Sequence, residues 1–294
     1  MKLKLIAAVS VLSILFGVFI VSAQQDEEVR GAFLDSRPKT TNPNAPPRSN
    51  RRRPSNANAN SSAGVKIKTT NSNTGPKTAG AKKTYAAIGL GYTLFMREAA
   101  GRSIRVDPAR EFRTGDRIRL ALEPSVDGYL YIFDSEDGGV PKMIYPDTRL
   151  NGGDNWIEAH VPVEIPSSEE PDERLRWFEF YGQPGGDRVY IVLTREPLPL
   201  VPTGDALVAF CGAKENKCPW EPPAAAWAQI NDARSAQVRV AKTDNFGQAQ
   251  TEREQVATTR GIGLDQSVPA PSVIRMNAST SAPILVTVLD LIHK

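Results

Sequence analysis

The sequence predicts an all-β fold for residues 84–294, an immunoglobulin-like β-sandwich with one short helix. Three observations lead there. Short runs either alternate apolar and polar residues or are apolar on both faces, the patterns of strands packed on one side or two. Clusters of Gly, Pro and Asp break these runs at short intervals. No helical pattern recurs between them, as the crossovers of a parallel sheet would require.

The elements follow in order. Residues 85–96 are rich in aromatic and aliphatic side chains suited to a strand. In 117–123, Ile118, Leu120 and Leu122 fall on one face and Arg117, Arg119 and Glu123 on the other. Tyr129, Tyr131 and Phe133 alternate with Leu130 and Ile132, so both faces of this run are covered, as in a central strand. Residues 124–128 supply the turn between these strands, 135–139 a second turn, and 142–145 a further strand. Residues 156–165 alternate and stop at Pro166, and 169–173 form an acidic loop. Strands at 176–181 and 188–194 are separated by Gly182, Pro184, Gly185 and Gly186. Residues 222–236 supply the helix, with Pro in its first turn and Ala-rich propensity. Residues 237–242, 272–276 and 284–292 are strand-like, and the last, apolar on both faces, reads as a central strand; 243–255 is polar and carries no assignment.

Two segments precede the body. Lys2 and Lys4, an apolar run over 5–21 and the small residues Val21-Ser22-Ala23 are the three parts of a secretory signal peptide, placing cleavage after Ala23. The expected location is therefore periplasmic or extracellular, where disulfides persist. Residues 24–83 carry 12 Lys/Arg against 4 Asp/Glu, and the stretch 36–83 has neither an acid nor an aromatic residue. Such a segment buries too little apolar area to offset its ordering entropy and reads as a disordered basic linker. Arg48, Arg51, Arg52, Arg53, Lys66, Lys68, Lys82 and Lys83 are its candidate anion-binding residues, toward an anionic cell-envelope polymer or lipid surface. The other partner considered is a second envelope protein. Nucleic acid is excluded as a partner: export removes the chain from it, and no aromatic interleaves the charges to stack on bases. The chain's formal net charge of +3 hides a basic arm ahead of an acidic body.

Phe112-Arg113-Thr114-Gly115-Asp116-Arg117-Ile118-Arg119-Leu120, followed by Asp127-Gly128-Tyr129-Leu130-Tyr131, resembles the domain of unknown function 4384 family. Asp137-Gly138, Tyr145-Pro146, Ile165-Pro166, Phe178-Glu179-Phe180 and Val189-Tyr190-Ile191-Val192-Leu193 continue the resemblance, over about 110–197. It implies an all-β accessory domain, exported or fused to other modules, with no assigned catalytic residue to carry across. Physically, Gly115 and Gly128 suit turn positions with positive φ, Asp116 and Asp127 suit bonding to turn amides, and Tyr129 and Tyr131 combine large apolar area with a hydroxyl.

Candidate chemistry is sparse. Two Cys and two His are too few for a zinc cluster or iron–sulfur site, and no cofactor is implied. Cys211 and Cys218 lack redox Cys-x-x-Cys spacing and read as a local disulfide after export. His160 and His293 come without a Gly-x-Ser-x-Gly elbow, so a serine-hydrolase triad is not indicated. Asp134, Glu136 and Asp137 before Gly138-Gly139 fail the EF-hand pattern and read as a hairpin turn, and Asp154 with Asn151 and Asn155 is a similar weak oxygen cluster. Gly89-Leu90-Gly91 has no helix after it and is not a phosphate loop. Glu169, Glu170, Asp172 and Glu173 read as a solvated acidic loop. The sequence therefore points to an exported, non-catalytic interaction or scaffolding domain of the cell envelope. Its rival is a secreted hydrolase acting through loop carboxylates, and a cleft holding two converging carboxylates of perturbed pKa would favour that rival. The signal-peptide reading is checked by the intact mass of exported protein, which should begin at Gln24. A mass retaining residues 1–23 would contradict it.

Overall fold

The computed structural model describes residues 26–42, 86–149 and 151–294. The expected signal peptide lies outside the described residues, as do Arg48, Arg51, Arg52, Arg53, Lys66, Lys68, Lys82 and Lys83. Among the described residues no helix is long and apolar enough to cross a membrane.

The chain is mostly β, in two sheets. The first contains β1 (Gly89–Arg97), β2 (Ser103–Val106), β4 (Arg117–Pro124), β8 (Val163–Ile165), β9 (Phe178–Glu179), β11 (Val238–Lys242) and β12 (Val273–Asn277). Its order is β11-β12-β1-β4-β8, with β2 on β1 and β9 on β4. The second contains β3 (Glu111–Phe112), β5 (Gly128–Glu136), β6 (Lys142–Tyr145), β7 (Trp156–Ile157), β10 (Gly185–Thr194) and β13 (Ile284–His293), in the order β3-β13-β10-β5-β6 with β7 on β5. Among the described strands only the short β13–β3 pairing is parallel. The sheets share one core, to which β1 and β4 give Leu90, Leu94, Leu120 and Leu122, and β5, β10 and β13 give Leu130, Ile132, Ile191, Leu193 and Leu289. This arrangement is consistent with a β-sandwich.

The doubly apolar runs find partners on both sides. Tyr129, Tyr131 and Phe133 leave the shared core and pack against Leu207 of α2 (Asp205–Gly212), Ala226 and Ile230 of α3 (Ala224–Arg234), and Trp220. Tyr131 is fully buried, and its hydroxyl accepts the Leu198 amide at 2.9 Å. The C-terminal strand β13 lies between β10 and β3, as its pattern requires. Asp116 and Asp127 accept backbone amides from Arg113 and Ala159 at 3.0 and 2.8 Å.

Several expectations need correction. The sequence predicts one helix, over 222–236; α3 lies there, but the described residues hold four α-helices, with α1 at 26–35, α2, and α4 (Glu252–Arg260), which begins in the unassigned polar stretch. The capping box that starts α4 is plain in Thr251-Glu252-Arg253-Glu254: the Thr251 side chain accepts from the Glu254 amide, and the Glu254 side chain accepts from the Thr251 amide. The run 156–165 is not one strand. It pairs with β5 at Trp156–Ile157 and with β4 at Val163–Ile165, and crosses between sheets where His160 takes φ 58°. Alternation survives a crossover of this kind, which is why the pattern concealed it. Gly115 has the expected positive φ of 89°. Gly128 does not; its need is space, since a Cβ there would sit 2.3 Å from the Thr194 carbonyl oxygen.

The largest correction concerns the linker. Residues 26–42, expected to be its first part, fold onto the body. Val29 and Phe33 of α1 are buried against Ala241 and Ile274 on the outer side of the first sheet. Gly91 makes this approach feasible: a Cβ there would lie 2.3 Å from Pro271 and 3.1 Å from the Phe33 ring. The polar face of β4 is therefore solvent-facing only at Arg117: Glu123 is buried beneath Arg37, and Arg119 is buried against Trp177 and Glu164.

Candidate ligand-binding cleft

Strand alternation determines which side chains of the second sheet face the first. On β5 these are Leu130, Ile132, Asp134 and Glu136; on β10 they are Leu193, Ile191, Val189 and Asp187. At one end of the core the inward rows thus change from aliphatic to acidic. Glu136 and Asp187 stand directly opposite each other in the antiparallel register, a destabilising arrangement for like charges. Asp134 Oδ1 is buried with no hydrogen-bond partner.

These carboxylates floor a cleft of about 600 Å3. The first sheet supplies its opposite wall, with Ile118 of β4, Phe178 and Glu179 of β9, and the neighbouring Trp177, Phe180 and Tyr181. Trp177 is held by the Arg119 guanidinium stacked 4.1 Å from its ring, and Arg119 also donates to the Arg176 carbonyl at 2.8 Å. Phe180 stacks on Phe112 at 4.6 Å. At the rim, Phe178 and Tyr181 are 39% and 80% exposed, and Leu175, in the adjoining cleft, is 43% exposed. A second cleft of about 500 Å3 shares Ile144, Trp177 and Phe178 with the first and continues to Met143, Trp220 and the disulfide. Together they form one groove along the side where β6 ends the second sheet and β8 and β9 border the first.

Electrostatics in the acidic part follow from its construction. Burial, with Asp187 and Glu136 nearby, pushes Asp134 up to about 6, against the opposing pull of the Ser135 amide and Lys142. Burial, Glu136 and Asp137 likewise raise Asp187, while His293 pulls it down. Glu179 is paired with Arg117 at 2.7 Å, and Asp137 accepts the Gly186 amide at 2.8 Å. Among the described residues, no group of three His, Cys, Asp or Glu is placed to hold a metal ion.

The residues singled out in the sequence fall in several places. Cys211 and Cys218 are joined as a disulfide, Cα–Cα 5.6 Å, and line the second cleft. In the acidic loop, Asp172 pairs with Arg174 and Glu173 with Arg97, and only Glu170 reaches the groove. Asp154 accepts the Asn155 and Trp156 amides, a structural turn. His293 contacts Thr114 Oγ1 at 3.0 Å and the Phe180 ring. His160 lies in a buried network that the sequence did not disclose. Its Nδ1 is 2.7 Å from Glu123 Oε1, and its Nε2 is 2.9 Å from Ser36 Oγ.

That order of atoms is the order of a serine-hydrolase triad, but the surroundings oppose the chemistry. Ser36 Oγ donates its one proton to the Phe33 carbonyl at 2.6 Å, at the C-terminal end of α1, where the helix dipole disfavours a developing oxyanion. Glu123 is already bound by Arg37 through two bonds of 2.8 and 2.7 Å. The network fastens the N-terminal segment; it does not activate a nucleophile.

Residues 111–197 match the family described as Domain of unknown function (DUF4384). No curated protein and no solved structure matches the chain. The DUF4384 segment holds Asp134, Glu136, Trp177, Phe178, Tyr181 and Asp187, and so most of the acidic cleft. It does not close a core alone. Its strand β4 pairs with β1 and its β10 with β13, both outside the matched residues, and Leu291 and His293 of β13 complete the cleft.

The rise of Asp134 has a signed consequence. A carboxyl that holds its proton more tightly when folded destabilises the fold progressively as pH climbs from about 4 to about 6, and by a constant amount above that. Asp134→Asn should therefore stabilise the protein at pH 7.5 by up to about 2 kcal/mol, the full shift being reduced by solvent on the open side. At pH 4 the two proteins should be nearly equal. Urea unfolding at both pH values measures this; a variant no more stable than the parent at pH 7.5 would contradict it.

Proposed function

We propose that the chain is an exported, non-catalytic interaction module of the cell envelope, an immunoglobulin-like sandwich that holds an envelope partner along the open side of its two sheets. One observation carries this reading. Leu175, Phe178 and Tyr181 stand exposed around a groove whose walls are aromatic, the concave and largely apolar kind of surface on which ligands bind. The basic arm supplies a second, salt-sensitive attachment to anionic polymer or lipid. Arg37 takes no part in that attachment, because its guanidinium is committed to the core. The test is co-sedimentation of mature protein with an envelope fraction. Leu175→Asp combined with Tyr181→Ala alters two exposed side chains and should leave the melting temperature unchanged. It should lower retention about five-fold, the loss of roughly 1 kcal/mol of contact. Undiminished retention would overturn this reading.

A second reading, a secreted hydrolase, is favoured by Asp134 and Asp187, two carboxylates raised by burial in one cleft, as a general acid and its partner would be. It differs from the loop carboxylates singled out in the sequence. It requires turnover of chromogenic glycosides by the full chain, abolished by Asp134→Asn; absence of turnover across an α- and β-linked panel removes it.

A further inference from the structure

We infer that the acidic end of the groove binds a lysine or arginine side chain presented by an extended peptide segment of a partner. This deepens the interaction-module reading and rests on it. Strand alternation turns three acidic side chains of the second sheet toward the first. Asp134, Glu136 and Asp187 continue the inward rows of Leu130, Ile132, Ile191 and Leu193, where an aliphatic residue would close the end of the two sheets at lower cost. Lys142 stands opposite Asp134 in the β5–β6 register and His293 lies near Asp187, but neither closes an ion pair with them, and Glu136 faces Asp187 across the β5–β10 ladder. Asp134 Oδ1 is also without a hydrogen bond inside the protein. Asp134 and Asp187 are partly buried and Glu136 is exposed at the mouth, so a donor-bearing cation entering from solvent can reach all three and relieve the like-charge crowding.

The walls select the kind of cation. A small metal ion needs several oxygens converging at short range, and the described residues offer no such group. The cleft is instead wide, about 600 Å3, and aromatic on the side facing the carboxylates, with Trp177, Phe178 and Tyr181; Arg174, also in its lining, is paired with Asp172. Aromatic faces opposite carboxylates suit an ammonium or guanidinium on an aliphatic stem: the head takes charge-assisted hydrogen bonds, and the stem and cation lie against the rings. The apolar continuation past Ile144 and Trp177 toward Met143 and Trp220 gives the rest of a peptide a surface to follow. Charge complementarity therefore identifies the occupant as a basic peptide.

The experiment uses the full chain with Arg48, Arg51, Arg52 and Arg53 changed to Gln, so that its own guanidinium groups do not compete. Fluorescently labelled Gly-Arg-Gly-Arg-Gly amide is titrated at low ionic strength, with Gly-Gln-Gly-Gln-Gly amide as control. The arginine peptide should bind saturably with Kd on the order of 100 µM. Binding should weaken at least about ten-fold for the glutamine peptide, and equally for Asp134→Asn combined with Asp187→Asn, whose fold is verified by its melting curve. Equal affinity for both peptides, or affinity untouched in the double variant, overturns the inference. The two levels fail separately. Envelope retention that depends on Leu175 and Tyr181 without arginine preference removes only the cationic occupant. Arginine preference with retention indifferent to those residues removes the envelope-docking reading.

Discussion

The Glu123 carboxylate is the fixed point of the molecule. It is buried on the outer face of β4, a position where an unpaired charge would be untenable. Arg37 comes to it from the N-terminal segment and His160 from the crossover between the sheets. The remaining donors of Arg37 are spent on the Asp265, Val268 and Pro269 carbonyls. One carboxylate thereby joins four stretches of chain that are far apart in sequence. Breaking such a pair by removing one partner typically costs about 3–5 kcal/mol, a large part of a domain's stability. Asp265 reinforces the same junction. Burial pushes its carboxyl up, but hydrogen bonds from Ser267 and Thr41 outweigh this and hold it at about 2, and Arg253 pairs with it as well.

What the sequence disclosed of the fold is the part fixed by local periodicity. Leu120 and Leu122, the doubly apolar 129–133 run and the C-terminal strand declare their surroundings through spacing alone. What it withheld depends on distant partners. Arg119 and Glu123 alternate with leucines as surface residues do, and only the arrival of Arg37, Glu164 and Gln250 makes their face an interior. Phe33 and Arg37 sit at the edge of a segment whose average composition argues for disorder, and two well-placed side chains override the average.

The cleft was legible in part. Asp134, Glu136 and Asp137 stood out as a cluster, and the hairpin-turn reading is right for Asp137, whose φ of 48° and bond to Gly186 belong to the turn. Extending the alternation of Leu130 and Ile132 by two and four residues would have placed Asp134 and Glu136 inward. Asp187 could not be joined to them without the β5–β10 register, and Trp177 and Tyr181 face them only because β9 pairs with β4 across the core. A site assembled by opposing sheets leaves no compact motif in sequence.

The docked N-terminal segment changes the standing of the arm that follows it. Thr41 is tied to Asp265, and the Ala86 carbonyl accepts from Arg195, so both ends of the 44-residue stretch between them are fastened to the body. The arm is therefore tied to the body at both ends. Lengthening such a loop is thermodynamically mild, about 0.6 kcal/mol for each doubling, so its length can drift while its feet stay put. Nor does a protease cut within it set the N-terminal piece free. Phe33 in its apolar seat and Arg37 on Glu123 would keep the two fragments together as a nicked, non-covalent complex. Cleavage would open one anchored loop into two basic tails on a single body.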